Sequence, residues 1–209
     1  GPQEQGLDPH YSFGKQQVYP GGNFDYHLKP FKAAIDAGVA AIMPYYGAPM
    51  GVTREGVRYD EMGFAFNHLI VTDLLRTQLG FKGYVNSDTG IINDRAWGLE
   101  NRTVPERTAA AINAGIDVLS GFNSNRVITD LVAAGLVGEA RVNEATRRLL
   151  LEQFQLGLFE NPYVDAMIAS NVIGSDAHRE RGLTVQKQSI VLLRDFYNAP
   201  LPGAPLDAK

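Results

Sequence analysis

Three short apolar runs in this sequence end in polar residues that could do chemistry. Val39–Met43 leads to Tyr45-Tyr46, Tyr84-Val85-Asn86 to Ser87-Asp88-Thr89, and Ile116–Leu119 to Ser120-Gly121-Phe122-Asn123. Among these ends only Asp88 offers a carboxylate. A carboxylate just beyond a buried strand is held by rigid backbone, as a nucleophile must be, because a small misplacement is costly in rate. Asp in that position equally suits a helix N-cap or a turn, and spacing alone leaves the two readings level. Tyr46 by itself reads as a packed aromatic rather than a ligand contact. Asp117 lies inside an otherwise apolar run and reads as a buried, hydrogen-bonded structural carboxylate rather than a catalytic one.

Other residue types narrow the choices. Trp97 could stack on a sugar face or pack beneath a loop, and the residues alone do not decide between these. The four histidines, His10, His27, His68 and His178, are scattered without metal-ligand spacing and read as surface or loop positions. Arg54-Glu55 to Asp60-Glu61 is charged and reads as a solvated loop. Asn101-Arg102-Thr103 fits the glycosylation acceptor pattern, which also arises by chance. No Walker loop, dinucleotide fingerprint or serine elbow occurs. With no cysteine among 209 residues, disulfides, thiolate metal sites and cysteine nucleophiles are excluded. A net charge of −4 recommends neither a nucleic-acid nor an anionic-membrane partner. No apolar run approaches the roughly 20 residues of a membrane span. The chain opens at Gly1 without a methionine, so its native start is expected upstream.

The elements that would position these residues form a repeated pattern. The first 30 residues, rich in Gly, Pro, Asn and aromatics, read as a long ordered loop. Phe31–Gly38 then reads as a short helix stopped by glycine before the apolar run Val39–Met43. Asn67–Leu79 places Val71, Leu74, Leu75 and Leu79 on one helical face, ends at Gly80, and is followed by the Tyr84 strand. AAINAG near Ala110 repeats the phrase before Ile116–Leu119. Short apolar strands alternating with helices imply a parallel sheet buried on both faces. Thr103-Val104-Pro105-Glu106 fits a capping box. A helix over Asn143–Leu156 is expected to bury Leu149, Leu150 and Phe154 and to end at Gly157. After Asn161-Pro162 comes a polar stretch with another helix. Ser189–Leu193 then reads as a strand opening a further domain.

Taken together these segments resemble glycoside hydrolase family 3, the family of many β-glucosidases and β-xylosidases. LGFKGYVNSD (Leu79–Asp88) looks like the family's nucleophile strand, G-F-x-G-x-V-x-S-D. IMPYYG (Ile42–Gly47) is similar to the preceding strand, and AINAGIDVLSG (Ala111–Gly121) to the following one. FQLGLFENPY (Phe154–Tyr163) resembles the exit from the barrel and QKQSIVLL (Gln186–Leu193) the start of the second domain. GPQEQGLDPH resembles the loop after the family's Lys-His strand. The match covers nearly the whole chain in order, and several linked motifs are specific where S-D alone is not.

The resemblance implies an α/β fold: the C-terminal part of a (β/α)8 TIM-type barrel with parallel strands over residues 1–160. A linker over 161–185 and an incomplete α/β-sandwich domain over 186–209 would follow. It implies a retaining, exo-acting β-glycosidase with Asp88 as nucleophile and Tyr46 and Met43 in the sugar subsite. Thr89 stands where the family often has tryptophan, and Trp97 is a candidate replacement contact. The family's acid/base residue usually comes from the second domain, and its upstream barrel strands grip the sugar. The partners implied are therefore a glycoside substrate and the rest of the polypeptide. No metal or organic cofactor is called for. A periplasmic or extracellular setting is expected, and the isolated segment is expected to be inactive. A phosphorylase of the same family, or a noncatalytic carbohydrate-binding remnant, are the competing readings.

Overall fold

The structure, a computed structural model, describes residues 4–191. They divide into two compact units, the first running to Phe159 and the second beginning at Glu160.

The central feature of the first unit is a parallel pair of short strands with a third segment, at Val118, bridged alongside. Ala41–Ile42 pairs with Tyr84–Val85, and Asn86 bridges in parallel to Val118. The backbone bonds continue past the paired residues: Asn86 N donates to Ile42 O at 3.1 Å and Ser87 N to Val118 O at 2.8 Å. Gly83 makes the close approach possible, since a Cβ there would lie 1.9 Å from the Ala40 carbonyl oxygen. Any larger residue would force the two strands apart. Val85 is fully buried and Ile116 nearly so, within a core that also holds Val71, Phe81, Ile92 and Ala111. The regular strands are shorter than the apolar runs that announce them.

Helices flank these strands, with some departures from the sequence reading. The first spans Phe24–Asp36, beginning seven residues before the expected start and taking Pro30 into its interior. Proline removes one backbone donor there and disfavours the helix. Burial of Phe24 at the N-terminal end, beside Val52, Tyr59, Ile70 and Leu74, favours the longer element. The chain reverses at Gly38, whose φ of +82° suits glycine, and Val39 N reaches back to Ala34 O. Leu69–Gln78 is a helix of the wide π type, with Leu79 N bonded five residues back to Leu74 O at its end. Its buried face is Ile70, Val71 and Leu74. Val104–Ala114 starts with the expected capping box: Thr103 N donates to Glu106 Oε2 at 2.7 Å and Glu106 N to Thr103 Oγ1. Asn125–Ala133 packs Leu131 with Ile112 and Val137 in a smaller cluster.

Two further differences concern the outer parts. The charged segment around Arg54 is an antiparallel hairpin, Thr53–Arg54 with Val57–Arg58, turned by Glu55 and Gly56, both at positive φ. Arg54 Nε reaches Asp25 at 2.7 Å, tying the hairpin to the first helix. The helix expected over 143–156 is Glu139–Gln155, and the side chains expected to be buried are not. Leu150 and Phe154 are exposed, and Leu149 is only half-buried, because no described element covers that face.

The second unit has helices Ala166–Val172 and Asp176–Ser189. Asp165 caps the first by accepting from Met167 N and Ile168 N. Ser189, where the expected strand Ser189–Leu193 would begin, is therefore the last residue of a helix, and Ile190 and Val191 are in no regular element. The rest of the expected strand, from Leu192 onward, lies outside the described residues. Among the described residues no helix is long and apolar enough to cross a membrane.

Candidate active site

The strand carrying Asp88 is fixed from both ends. Upstream, Asp117 accepts Val85 N–H at 2.9 Å and three guanidinium contacts, from Arg76 and Arg141 at 2.7 Å and Arg148 at 2.9 Å. Its side chain has no exposure, as the sequence suggested for a structural carboxylate. Burial pulls the Arg76 pKa below its ordinary value, and Asp117 acts in the opposite direction. Downstream, Ser87 is fully buried; its hydroxyl accepts from Ser120 N and donates to Asp88 O, both at 2.9 Å. Ser120 Oγ donates to Asn86 Oδ1 at 2.9 Å. The backbone of Asp88 thus has little freedom, and its side chain is half-buried with Oδ1 accepting Thr89 N–H at 2.7 Å.

Tyr46, from beyond the neighbouring strand, comes to the same place. It is 4% exposed and its hydroxyl donates to Thr89 O. Its pKa is pushed up to about 12, first by burial and then by the adjacent Asp88 carboxylate, with Arg95 pulling the other way. The phenol therefore stays a neutral donor over the ordinary pH range. Tyr46 and Asp88 therefore stand side by side.

The other two sequence-predicted contacts are placed differently. Met43 is 56% exposed and lines an apolar cavity of about 710 Å³ with Phe31, Ile42, Tyr45 and Leu75. Neither Asp88 nor Tyr46 belongs to that lining, and a cavity without carboxylates is not where glycosyl chemistry would occur. Trp97 is 7% exposed within the core, and its Nε1 donates to Pro9 O at 2.9 Å. Of the two readings left open for Trp97, packing beneath a loop is the observed one. A ring so covered has no free face for a sugar.

Two residues that sequence reasoning did not single out complete the cluster. The Arg95 guanidinium carbon lies 5.4 Å from the Tyr46 ring centroid, with Nη1 3.4 Å from Thr89 O. His10 meets the same ring edge to face, at 5.0 Å between centroids. His10 is in a loop, as expected, yet it stands against the Tyr46 ring. Nothing in its local sequence signals this, because 78 residues separate it from Asp88. Among the described residues no group of three or more His, Asp or Glu is placed to hold a metal ion.

A carboxylate beyond a buried parallel strand, with an aromatic hydroxyl from the adjoining strand beside it, is a geometry shared by many barrel enzymes. Comparison with known proteins narrows it. The family model described as "Glycosyl hydrolase family 3 N terminal domain" matches residues 5–151. The chain belongs to this family. It is 46% identical over 203 residues to "Probable beta-glucosidase C" of Aspergillus oryzae, covering 92% of this chain and 31% of that protein. It is 33% identical over 220 residues to "Periplasmic beta-glucosidase/beta-xylosidase" of Dickeya chrysanthemi, covering 96% and 34%. Among solved structures, the exo-1,3/1,4-beta-glucanase ExoP from a Pseudoalteromonas species superposes with a TM-score of 0.71 at 26% identity, over 92% of this chain and 23% of that one. A beta-glucoside phosphorylase superposes with a TM-score of 0.72 at 23% identity, over 93% and 36%, a likeness of fold. The fold of this family 3 chain is accordingly of the TIM-barrel type. The chain spans about a third of the length of the curated relatives it matches.

Proposed function

We propose that this chain is the later part of the barrel domain of a retaining β-glycosidase of the β-glucosidase type, with Asp88 as its nucleophile. Residues 1–160 would supply the last strand–helix units of the (β/α)8 barrel, 161–185 the connection, and 186–209 the opening of a sandwich domain. The observation that carries the reading is the position of Asp88: half-buried, at the end of a strand paired in parallel on one side and bridged on the other, beside the neutral phenol of Tyr46.

In the first step a carboxylate oxygen of Asp88 bonds to the anomeric carbon as the bond to the leaving oxygen breaks. Water then releases the sugar and restores the carboxylate. Tyr46 supplies a hydrogen-bond donor beside the nucleophile, and its burial keeps that donor protonated. The Ser87 hydroxyl, which donates to Asp88 O and accepts from Ser120 N, holds the backbone that carries the carboxylate, so less reorganisation is needed during reaction. The substrate is a glycoside, in keeping with the names of the relatives. One of those, from Dickeya chrysanthemi, is named periplasmic, which supports an exported setting.

Asp88→Gly in the full-length polypeptide tests the assignment. Hydrolysis should be abolished, and azide should restore turnover by entering the vacated space, giving a glycosyl azide of inverted configuration. Residual hydrolysis near the wild-type rate would remove Asp88 from the mechanism.

A further inference from the structure

The residues that follow His10 in its loop hold two large rings in solvent. Tyr11 is 58% exposed and Phe13 63%, and the two rings lie nearly parallel, 5.3 Å between centroids with 9° between planes. On a loose loop such rings would be free to turn away from water, but this loop is fastened. Asp8 Oδ1 accepts the His10 N–H at 2.9 Å, the Tyr11 N–H reaches Asp8 O at 3.3 Å, and the Gly14 N–H reaches Tyr11 O at 3.0 Å. The Pro9 carbonyl accepts the Trp97 indole N–H, and a Cβ at Gly14 would lie 2.1 Å from the Asp8 carbonyl oxygen. The aromatic pair is also continuous with the site. The His10 ring meets Tyr46, which stands beside Asp88, and Tyr11 is the next residue, its Cα about 3.8 Å from that of His10.

We propose that Tyr11 and Phe13 form a stacking shelf for the leaving group of the glycoside, the part that departs when Asp88 takes the anomeric carbon. The inference rests on that assignment of Asp88. A pyranose presents C–H bonds on its faces, and an aromatic ring carries a negative face that attracts them. A flat, open ring therefore selects a flat, ring-shaped partner. The rings nearer the nucleophile are not available for this. Tyr46 is 4% exposed and Trp97 7%, and Thr89, next to Asp88, has no ring. Tyr11 and Phe13 lie against each other, which sets their orientation in advance, so little side-chain freedom is lost when a substrate arrives. The substrate class is a glycoside whose leaving group is itself a ring: a second sugar unit first, and an aryl group by the same contact. A methyl leaving group is too small to lie on the shelf. Both residues set specificity and touch none of the reacting atoms.

Substrates that share one sugar and differ in the leaving group test this in the full-length polypeptide. Tyr11→Ala and Phe13→Ala should each lower kcat/KM for a disaccharide by about 2- to 10-fold, the size of one aromatic contact. The kcat/KM for the methyl glycoside of the same sugar should not change. Either variant serves should the other fail to fold. Tyr11→Phe and Phe13→Tyr keep a ring in place and should retain the wild-type ratio between the two substrates. An aryl glycoside shows which rings the shelf takes. A loss parallel to that of the disaccharide means any flat ring, a loss on the disaccharide alone means sugar rings, and either supports the shelf. Equal losses on disaccharide and methyl glycoside, or no loss on the disaccharide, would overturn the inference. So would a lower Tm with an unchanged ratio, the result expected if another part of the polypeptide covers the pair. A fluoro-sugar with fluoride as its leaving group separates the two assignments, because one departing atom needs no shelf. Asp88 should be trapped at the wild-type rate in both alanine variants. If Asp88 is trapped and the ratios stay constant, only the shelf fails. Without trapping in the wild-type protein, the nucleophile assignment itself falls.

Discussion

Replacing Asp117 with Asn should destabilise the protein by several kcal/mol, and the structure shows why. The Asp117 carboxylate is wholly buried, with Arg141 and Arg148 on Oδ1 and Arg76 and the Val85 amide on Oδ2. Asn keeps the size but has one acceptor. Turned one way it loses Arg141 and Arg148; turned the other it loses Arg76 and Val85. Either way at least one charged hydrogen bond, at about 1.5–3 kcal/mol, goes together with a second bond. The three arginines, 12–16% exposed, would retain their charge with little water to compensate. Breaking a buried ion pair from one side costs about 3–5 kcal/mol, in keeping with that count. At about 2–4 °C per kcal/mol for a chain of this size, a loss near 3–4 kcal/mol lowers Tm by about 6–16 °C. Urea unfolding of wild type and variant with unchanged m-value reads the free energy directly. Arg126→Ala, which removes a pair exposed by 89% and 70%, is the control and should change stability by less than about 0.5 kcal/mol. An Asp117→Asn loss below about 1 kcal/mol would refute the reasoning.

Two further outcomes follow from the same contacts. Thr103→Ala removes one arm of the capping box and should cost about 0.5–2 kcal/mol in urea unfolding, while Thr103→Ser should restore most of it. Tyr46 ionises near pH 10 in the unfolded chain but near about 12 in the folded protein, so only the unfolded chain releases this proton between those values. Stability must therefore fall as pH rises through that window, and Tyr46→Phe should make the decline shallower when unfolding is measured at successive alkaline pH values.

What could be read from the sequence depended on how local its cause was. The capping box was legible because Thr103 and Glu106 are three residues apart and need only each other. Asp117 was legible as a buried structural group because a charge within an apolar strand demands partners, although which arginines supply them could not be read. The first seven residues of the first helix were hidden by Pro30 and by Gly21-Gly22 just before it. Their favourable term, Phe24 packed against Tyr59 and Ile70, is tertiary. The exposed Leu150 and Phe154 were misread because a helical apolar stripe states that a face can be covered, not that a described neighbour covers it. Within the site, Asp88 was a candidate because its carboxylate follows a strand end, whereas Tyr46 read as a packed aromatic until the family resemblance gave it a subsite role. Arg95 and His10 were not singled out, since loops from distant parts of the chain bring them to the Tyr46 ring. Trp97 shows the limit most clearly: the residue type offers a stacking face and a donor, and only its fold-dependent bond to Pro9 shows which is used.

The most direct measurement of the central claim is covalent trapping by a fluoro-sugar bearing a good leaving group, in the full-length polypeptide, followed by peptide mass spectrometry. The account predicts one added sugar per chain, on the peptide containing Ser87-Asp88-Thr89 and attached to the carboxylate, with no label in Asp88→Asn. A sugar attached to any other carboxylate, or equal labelling of wild type and Asp88→Asn, would contradict it.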